Sequence, residues 1–366
     1  MGAATPAGPL PHFHALILAG GRGTRFWPRS RRACSKQVLQ VVGEGSLLEQ
    51  TWARLRPVVP PQQVLVITNA YLREEILRQL PELPAPQIIA EPAQRNTAPA
   101  IGLAARILRE QDPEAVMGVF PADHFIARPA AFRRILRQAY RAALEDRLVV
   151  LGIRPTRPET GYGYIEFAPA RTNRAGAVPV RRFREKPDLA TARRFLRSGR
   201  FYWNSGMFVW KAAVIEEALR EHLPVTAAVL ANIRGAPGEA KFTASLEASY
   251  PHCENISIDY AVLEKAPDIV GFPCGEMGWN DVGSWEAVYN LLPQDRRRNV
   301  ARGEVLFHES AGNYVDAPDK VVALVGMENV IVVETEDALL IARRDRAQEV
   351  GEVVKALEKK GRVDLL

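Results

Sequence analysis

The stretch Leu16-Ile17-Leu18-Ala19-Gly20-Gly21-Arg22-Gly23-Thr24-Arg25-Phe26-Trp27-Pro28 decides how the rest of the chain is read. Residues 14–19 are an apolar run ending in two glycines, which reads as a buried strand feeding a glycine loop. Lacking Cβ atoms, Gly20, Gly21 and Gly23 let backbone N–H groups come close to phosphate oxygens, and Arg25 adds a forked cation. The spacing matches neither the Walker loop nor the dinucleotide fingerprint. Glycines alone would equally suit a turn that packs a strand on a helix; the cations around them favour phosphate. No acidic residue occurs up to position 43, while Arg22, Arg25, Arg29, Arg31, Arg32 and Lys36 fall in one segment. Such a local field suits a compact polyanion such as a triphosphate.

Beyond the loop, strand and helix patterns alternate. Residues 47–58, 71–80, 96–110 and 132–144 have helical spacing, with Asn96 as an N-cap, and residues 64–68, 87–90, 116–120 and 148–153 read as strands. That alternation predicts parallel pairing by right-handed crossovers and an open sheet covered by helices on both faces, with ligands at the carboxyl ends of strands. From about residue 161 the texture changes to antiparallel-looking strands that should cover a substrate. After residue 299 come short strands in quick succession, including 320–325 and 330–334, then a helix over 347–359. The expected division is a disordered leader over 1–12, an α/β domain over 13–292 and a small β-rich domain over 293–366.

With 47% hydrophobic and 25% charged residues among 366, the chain can build a sizeable core and is not compositionally disordered. Cys34, Cys253 and Cys274 are odd in number and widely spaced, so neither a zinc site nor a disulfide framework is expected, which favours a reducing, cytoplasmic setting. The N-terminus lacks the basic and apolar regions of a secretory signal, and no stretch approaches the roughly 20 apolar residues that span a bilayer. A net charge of +6 permits a nucleic-acid partner, but no basic stripe is interleaved with aromatics, so neither nucleic acid nor membrane is expected as a partner.

Single residues then stand out. Lys36 closes the basic segment and suits stabilisation of charge on phosphate oxygens. Asp123 ends a strand and Asp281 lies in a turn before a helix; carboxylates with phosphate oxygens are the usual ligands of Mg²⁺. Aspartates in such places also serve as turn and cap residues. Glu185 and Lys186 offer an acceptor for sugar hydroxyls and a cation for a sugar phosphate, and Asn204 another hydroxyl partner. His124 invites a general-base role, yet a sugar phosphate is already an anionic nucleophile and needs none.

Taken in order, LILAGGRGTRFWP (16–28), Lys36-Gln37, EPAQRNTAPAI (91–101), FPADH (120–124), TGYGYIE (160–166), FREKP (183–187), WNSGMF (203–208), SIDYAVLEKA (257–266) and WNDVGSW (279–285) resemble the mannose-1-phosphate guanylyltransferase family. The resemblance covers about residues 14–292 and continues through Glu334-Thr335-Glu336-Asp337-Ala338. It implies an α/β fold: a Rossmann-like nucleotidyltransferase domain with a mixed, mostly parallel sheet. To this it adds a small C-terminal domain like a left-handed β-helix that often helps form a homodimer. It implies that Leu18, Ala19, Gly20, Gly21, Gly23, Thr24, Arg25 and Lys36 bind the nucleotide, with Glu91, Asn96 and Thr97 near guanine or its ribose. Asp123 and Asp281 would hold Mg²⁺ or another divalent metal, and Gly163, Glu185, Lys186, Asn204 and Asp281 the mannose 1-phosphate. Arg25, Lys36, Asp123 and Asp281 would carry the catalysis.

The implied reaction is in-line attack of the sugar phosphate on the α-phosphorus of GTP, giving GDP-mannose and pyrophosphate. One departure is plain: Cys34-Ser35 precede Lys36, where the family usually has a proline that would stiffen the loop. Phe26 likewise replaces a usual leucine. Three alternatives stand beside this reading: another sugar 1-phosphate (heptose, fucose or glucose), an inactive regulatory subunit that binds a sugar nucleotide, and a nucleic-acid binder. The second is disfavoured by the presence of Arg25, Lys36, Asp123 and Asp281. About 75 residues follow the WNDVGSW helix, too few for the isomerase domain of some relatives, so no isomerase activity is expected.

Overall fold

The computed structural model describes residues 8–168, 175–275 and 277–366. Its first strand, β1 (Phe13–Ala19), is buried on both faces and lies inside a nine-stranded sheet. Strands β2 (Val64–Asn69) and β3 (Ile88–Glu91) extend the sheet on one side of β1, and β4 (Val116–Pro121) on the other, all parallel. Helices α1 (Leu47–Leu55), α2 (Arg73–Gln79) and α3 (Thr97–Gln111) make the crossovers. Ser46 and Glu49 start α1 with a reciprocal capping box, and Asn96 caps α3 as expected. The glycine loop and the turn after β4 therefore both emerge at the carboxyl edge of the sheet.

The second half of the sheet is mixed. After the short β5 (Phe125–Ile126) and helix α4 (Pro129–Ala143) come β6 (Leu148–Ile153), β7 (Tyr164–Phe167), β8 (Val178–Arg184), β9 (Phe201–Lys211) and β10 (Ile269–Cys274). The strand order is β3-β2-β1-β4-β9-β6-β10-β8-β7. The alternation up to residue 153 predicts parallel pairing; between β4 and β6, however, lies β9, antiparallel to both. The chain reaches β9 only after the antiparallel β7–β8 pair and helix α5 (Leu189–Ser198), and so enters the sheet from its opposite end. Helices α6 (Ala212–His222), α7 (Pro224–Leu230) and α8 (Ala240–Ser249) join α3 over one face of the sheet, while α1, α2 and α4 cover the other. Strand β11 (Trp279–Asn280) pairs with β5 just ahead of helix α9 (Trp285–Leu291).

The chain then winds through β12 (Val300–Arg302), β13 (Val305–His308), β14 (Tyr314–Asp316), β15 (Val322–Val325) and β16 (Val330–Glu334). Strands β12, β14 and β16 stack in parallel, as do β13 and β15, while β17 (Leu339–Arg343) closes the first stack antiparallel. Buried asparagines fasten successive rungs: Asn313 donates from Nδ2 to Asn299 Oδ1 at 3.1 Å and to the Met327 carbonyl at 2.8 Å, and its Oδ1 accepts from the Val330 N–H at 2.9 Å. Each buried amide thus satisfies backbone groups that a tight corner would leave unpaired. Helix α10 (Val350–Lys359) returns to the first domain.

One apolar cluster joins the two parts. Phe26 from the glycine-loop segment, Trp285 from α9 and Tyr314 from β14 form a run of rings, 5.1 Å and 5.7 Å between centroids, all fully buried. Trp285 Nε1 also donates to the Trp27 carbonyl at 3.2 Å. Of the expected leader, residues 1–7 lie outside the described residues, but its end is not unstructured. Leu10 is buried, with its N–H on the Val58 carbonyl at 3.0 Å, because its side chain completes the apolar cluster beneath β1. We expect Trp285→Ala to lower stability by about 3–5 kcal/mol through the cavity left between the two parts, read as a fall in the urea midpoint.

Candidate active site

The glycine loop presents its amides outward because its carbonyls are tied inward. Gln37 Nε2 donates to the carbonyls of Ala19 (2.8 Å) and Gly21 (3.0 Å), Thr68 Oγ1 donates to that of Ala19 (2.9 Å), and Gln94 Nε2 to that of Gly20 (3.0 Å). The N–H groups of Gly21, Arg22 and Gly23 donate to no acceptor among the described residues. The loop borders a cleft of about 480 Å³ lined by Leu18, Gly20, Gly21, Glu91, Asn96, Thr97 and Asp123 among others, so most of the residues expected to touch a nucleotide do share one space. Burial raises the Glu91 carboxyl to about 7 against the opposing hydrogen bond from the Tyr250 hydroxyl, which donates to its Oε1.

Lys36 stands at the end of this cleft. Its side chain is 8% exposed, and its Nζ donates to Asp123 Oδ2 at 2.8 Å and to the Asp281 backbone carbonyl at 2.5 Å. The two aspartates named from sequence, 158 positions apart in the chain numbering, therefore meet around one buried ammonium. Gly23 makes room for it: at φ 60°, a Cβ there would lie 2.7 Å from the Lys36 Cβ. Burial raises the Asp123 carboxyl, but the Lys36 ammonium, with His124 and hydrogen bonding, outweighs this and holds it below the usual carboxylate range. Burial drives the His124 imidazole down to about 4, so it is neutral at pH 7, and its Nδ1 accepts from Trp279 Nε1 at 3.2 Å.

A second space opens on the other side of Asp281, lined by Arg25, Arg157, Tyr162, Asp281 and Gly283 among others. The Tyr162 hydroxyl is hydrogen-bonded to the Asp281 side chain, and burial together with that carboxylate pushes the phenol well above its usual range. Arg157 lies over the Trp203 ring, 5.3 Å from its centroid. Close by in the fold, Asn204 donates its N–H to the Gly163 carbonyl (2.8 Å) and its Nδ2 to Asp259 Oδ1 (2.8 Å). A Cβ on Gly163 would lie 2.3 Å from Glu185 Oε2, so only glycine admits that carboxylate. Burial, then the neighbouring Asp259 carboxylate, raises Glu185 to about 7, and its Oε2 is buried without a hydrogen-bond partner. Lys186 Nζ sits 3.4 Å from Glu185 Oε1. Gly163, Glu185, Lys186 and Asn204 thus form one group.

The basic segment is divided rather than concentrated. Arg29 pairs with Asp316 at 2.7 Å and Arg31 with Asp337 at 2.8 Å, both carboxylates of the C-terminal domain. Arg22 pairs with Glu358 at 2.5 Å, and Arg25 donates to Gln348 Oε1 at 2.5 Å. The reading of the whole segment as a phosphate field is corrected accordingly: the chain places acidic partners far downstream, where local composition could not reveal them. Sequence reasoning also passed over Gln37, Tyr162 and Asp259, although all three lie inside the quoted motifs, and over Arg54 and Tyr250, which carry no local signal beyond helical or apolar spacing. The backbone is held left-handed at three non-glycine residues of these loops, Asn96 (φ 65°), Lys186 (φ 41°) and the β-branched Val282 (φ 46°). Such conformations cost about 1–3 kcal/mol each and persist where surrounding structure dictates them, often at functional sites.

A family model for nucleotidyl transferases matches residues 14–298, and one for a mannose-phosphate isomerase/GMP-like β-helix domain matches residues 303–357. The chain belongs to the nucleotidyl transferase family. This nucleotidyltransferase is 43% identical over 350 residues to the xanthan biosynthesis protein XanB of Xanthomonas campestris pv. campestris, covering 95% of the chain and 73% of that protein. It is 39% identical over 355 residues to a protein of Escherichia coli named mannose-1-phosphate guanylyltransferase, covering 95% of the chain and 74% of the relative. Among solved structures it matches that of a mannose-1-phosphate geranyltransferase from Thermus thermophilus with a TM-score of 0.84 at 36% identity, over 95% of this chain and 99% of that one. No helix among its described residues is long and apolar enough to cross a membrane.

Two measurements test this geometry. The unfolded chain protonates His124 near pH 6.5 and the folded protein only near 4, so the unfolded state binds the extra proton in between. Stability should fall as pH drops from about 6.5 to 4, and His124→Gln should flatten that slope in pH-dependent urea melts. Ser35 has φ −88°, close to what proline imposes, its N–H donates to no acceptor among the described residues, and its buried hydroxyl has no partner. Cys34 before it is in an extended bridge with Arg31. Ser35→Pro should therefore stabilise the nucleotidyltransferase by about 0.4–1 kcal/mol, seen as a higher urea midpoint.

Proposed function

We propose that this nucleotidyltransferase transfers the guanylyl group of GTP to mannose 1-phosphate, releasing pyrophosphate. The observation that carries this reading is the Lys36 ammonium, which gathers Asp123 and Asp281 between the glycine-loop cleft and the second space. The outward amides of Gly21 to Gly23 and the guanidinium of Arg25 suit a triphosphate. Glu91, one oxygen held by Tyr250, leaves the other as an acceptor for the amino and imino edge of guanine. Glu185, Asn204 and Asp259 offer acceptors and donors for sugar hydroxyls, and Lys186 and Arg157 cations for the sugar phosphate. Relatives about 40% identical over nearly the whole chain bear the name mannose-1-phosphate guanylyltransferase, which agrees with this choice of substrates.

In the proposed reaction a phosphate oxygen of mannose 1-phosphate attacks the α-phosphorus of GTP in line, a new P–O bond forms, and the bond to the β-phosphate bridging oxygen breaks. Pyrophosphate leaves with that electron pair. The nucleophile is anionic at neutral pH, so no base is required, in keeping with a neutral His124 whose Nδ1 is already an acceptor. Nucleotidyl transfer in this family generally uses a divalent metal. The Asp123 side chain is 38% exposed to the cleft, and no group of three or more metal-binding side chains gathers among the described residues. Two carboxylates completed by phosphate oxygens and water suit Mg²⁺, so Asp123 and Asp281 are the residues that would hold it. When bound, the ion supplies charge neutralisation of the phosphate oxygens. Lys36 orients the Asp123 carboxylate and anchors the Asp281 backbone, Tyr162 holds the Asp281 carboxylate, and Arg25 steadies the triphosphate.

Pyrophosphate release across a panel of nucleoside triphosphates and sugar 1-phosphates tests the assignment: GTP with mannose 1-phosphate should rank among the best pairs, and a markedly better pair would replace these substrates. Lys36→Met and Asp281→Ala should each lower kcat by about 100-fold or more while the far-UV spectrum and melting remain cooperative; activity close to wild type in either would remove that residue from the site.

A further inference from the structure

Behind the Asp123 turn lies a charged side chain that none of the proposed steps uses. Arg54, on α1, is 4% exposed, and no carboxylate lies within 4.0 Å of its guanidinium among the described residues. Burying a guanidinium that makes no contact ion pair is costly, so its retention calls for a reason. Its Nη2 donates to the His124 carbonyl at 3.1 Å and to Thr51 Oγ1 at 2.6 Å. The Thr51 hydroxyl in turn stands 3.4 Å from the Ala122 carbonyl and 2.8 Å from that of Leu47. The carbonyl after Asp123 is therefore held from helix α1, while the single Thr51 proton goes to the nearer Leu47 carbonyl and leaves that of Ala122 in looser contact. The brace reaches further: the next residues form β5, which pairs with β11 through Phe125↔Asn280 and Ile126↔Trp279, directly ahead of Asp281.

We infer that Arg54 is a positioning residue for the divalent-metal site, fixing the Asp123 turn, and through β5 and β11 the approach to Asp281, so that both carboxylates face one ion. This rests on the metal role proposed above for Asp123 and Asp281. Geometry matters rather than the charge alone, because both bonds leave from Nη2 at the far end of the planar guanidinium, beyond the reach of the shorter lysine side chain. Residues that orient metal ligands without touching the ion typically contribute about 10- to 100-fold in metal affinity.

The test titrates Mn²⁺ into the full chain with GTP but no sugar phosphate, so that no turnover occurs, and follows binding by electron paramagnetic resonance. Arg54→Lys and Arg54→Met should each weaken Mn²⁺ binding by about 10-fold or more. In parallel the metal concentration for half-maximal activity should rise, while KM for mannose 1-phosphate at saturating metal stays at the wild-type value. A purely electrostatic role predicts the opposite for Arg54→Met, since removing a cation that acts on the Asp123 carboxylate tightens metal binding; that result, or unchanged binding in a folded Arg54→Lys, overturns the inference. Should Arg54→Met fail to fold, Arg54→Lys and Thr51→Val, which strips the brace of its hydroxyl, decide it by the same titration. Asp123→Asn separates the two levels: if it binds Mn²⁺ as well as wild type, the metal reading and this inference both fall, whereas loss in Asp123→Asn with normal binding in the Arg54 variants overturns the inference alone.

Discussion

A buried ammonium is tolerated only where its lost hydration is replaced, and the site of this protein is arranged around that requirement. Lys36 has one carboxylate and one backbone carbonyl within hydrogen-bond distance, and the ring of Phe26 5.9 Å away. Each partner comes from a different part of the chain: the turn after β4, the turn before α9, and the glycine-loop segment itself. Satisfying one cation thus forces three loops into a single place. Because Gly23 sits against the lysine stem, the same contact holds the glycine loop and its outward amides in register with the aspartates.

The C-terminal domain shares in this arrangement. Its contacts run to the basic segment through Asp316, Asp337 and Glu358, and its ring Tyr314 completes the stack with Trp285 and Phe26. Arg29 and Arg31 are committed to interdomain pairing, whereas Arg25, held by the neutral Gln348, keeps its charge uncompensated by that partner. An amide orients a guanidinium without cancelling it, which a carboxylate in the same place would do.

Much of this was legible in advance. The alternation of helical and strand spacing announced the parallel strands around β1, the helices on both faces and the Asn96 cap, since these depend on local periodicity and on side chains acting within a few residues. The ordered motifs carried the family and most of the cleft-lining residues. What local pattern could not carry was pairing at a distance: the antiparallel entry of β9, the burial of Leu10, the acidic partners of Arg29 and Arg31, and Arg54, which on a helical wheel is merely a polar residue beside Leu55.

The sequence by itself determined the α/β character, the glycine turn with its cations, and the kinds of side chain available for phosphate, sugar and metal, because these follow from residue type and short spacing. Only the tertiary structure decided which of those side chains meet. Whether Asp123 and Asp281 face the same cation, whether an arginine faces a cleft or a carboxylate of another domain, and whether Glu185 is packed against Gly163 all depend on contacts between residues tens to hundreds of positions apart. Such contacts are selected by the packing of the whole core and leave no trace in any short stretch of chain.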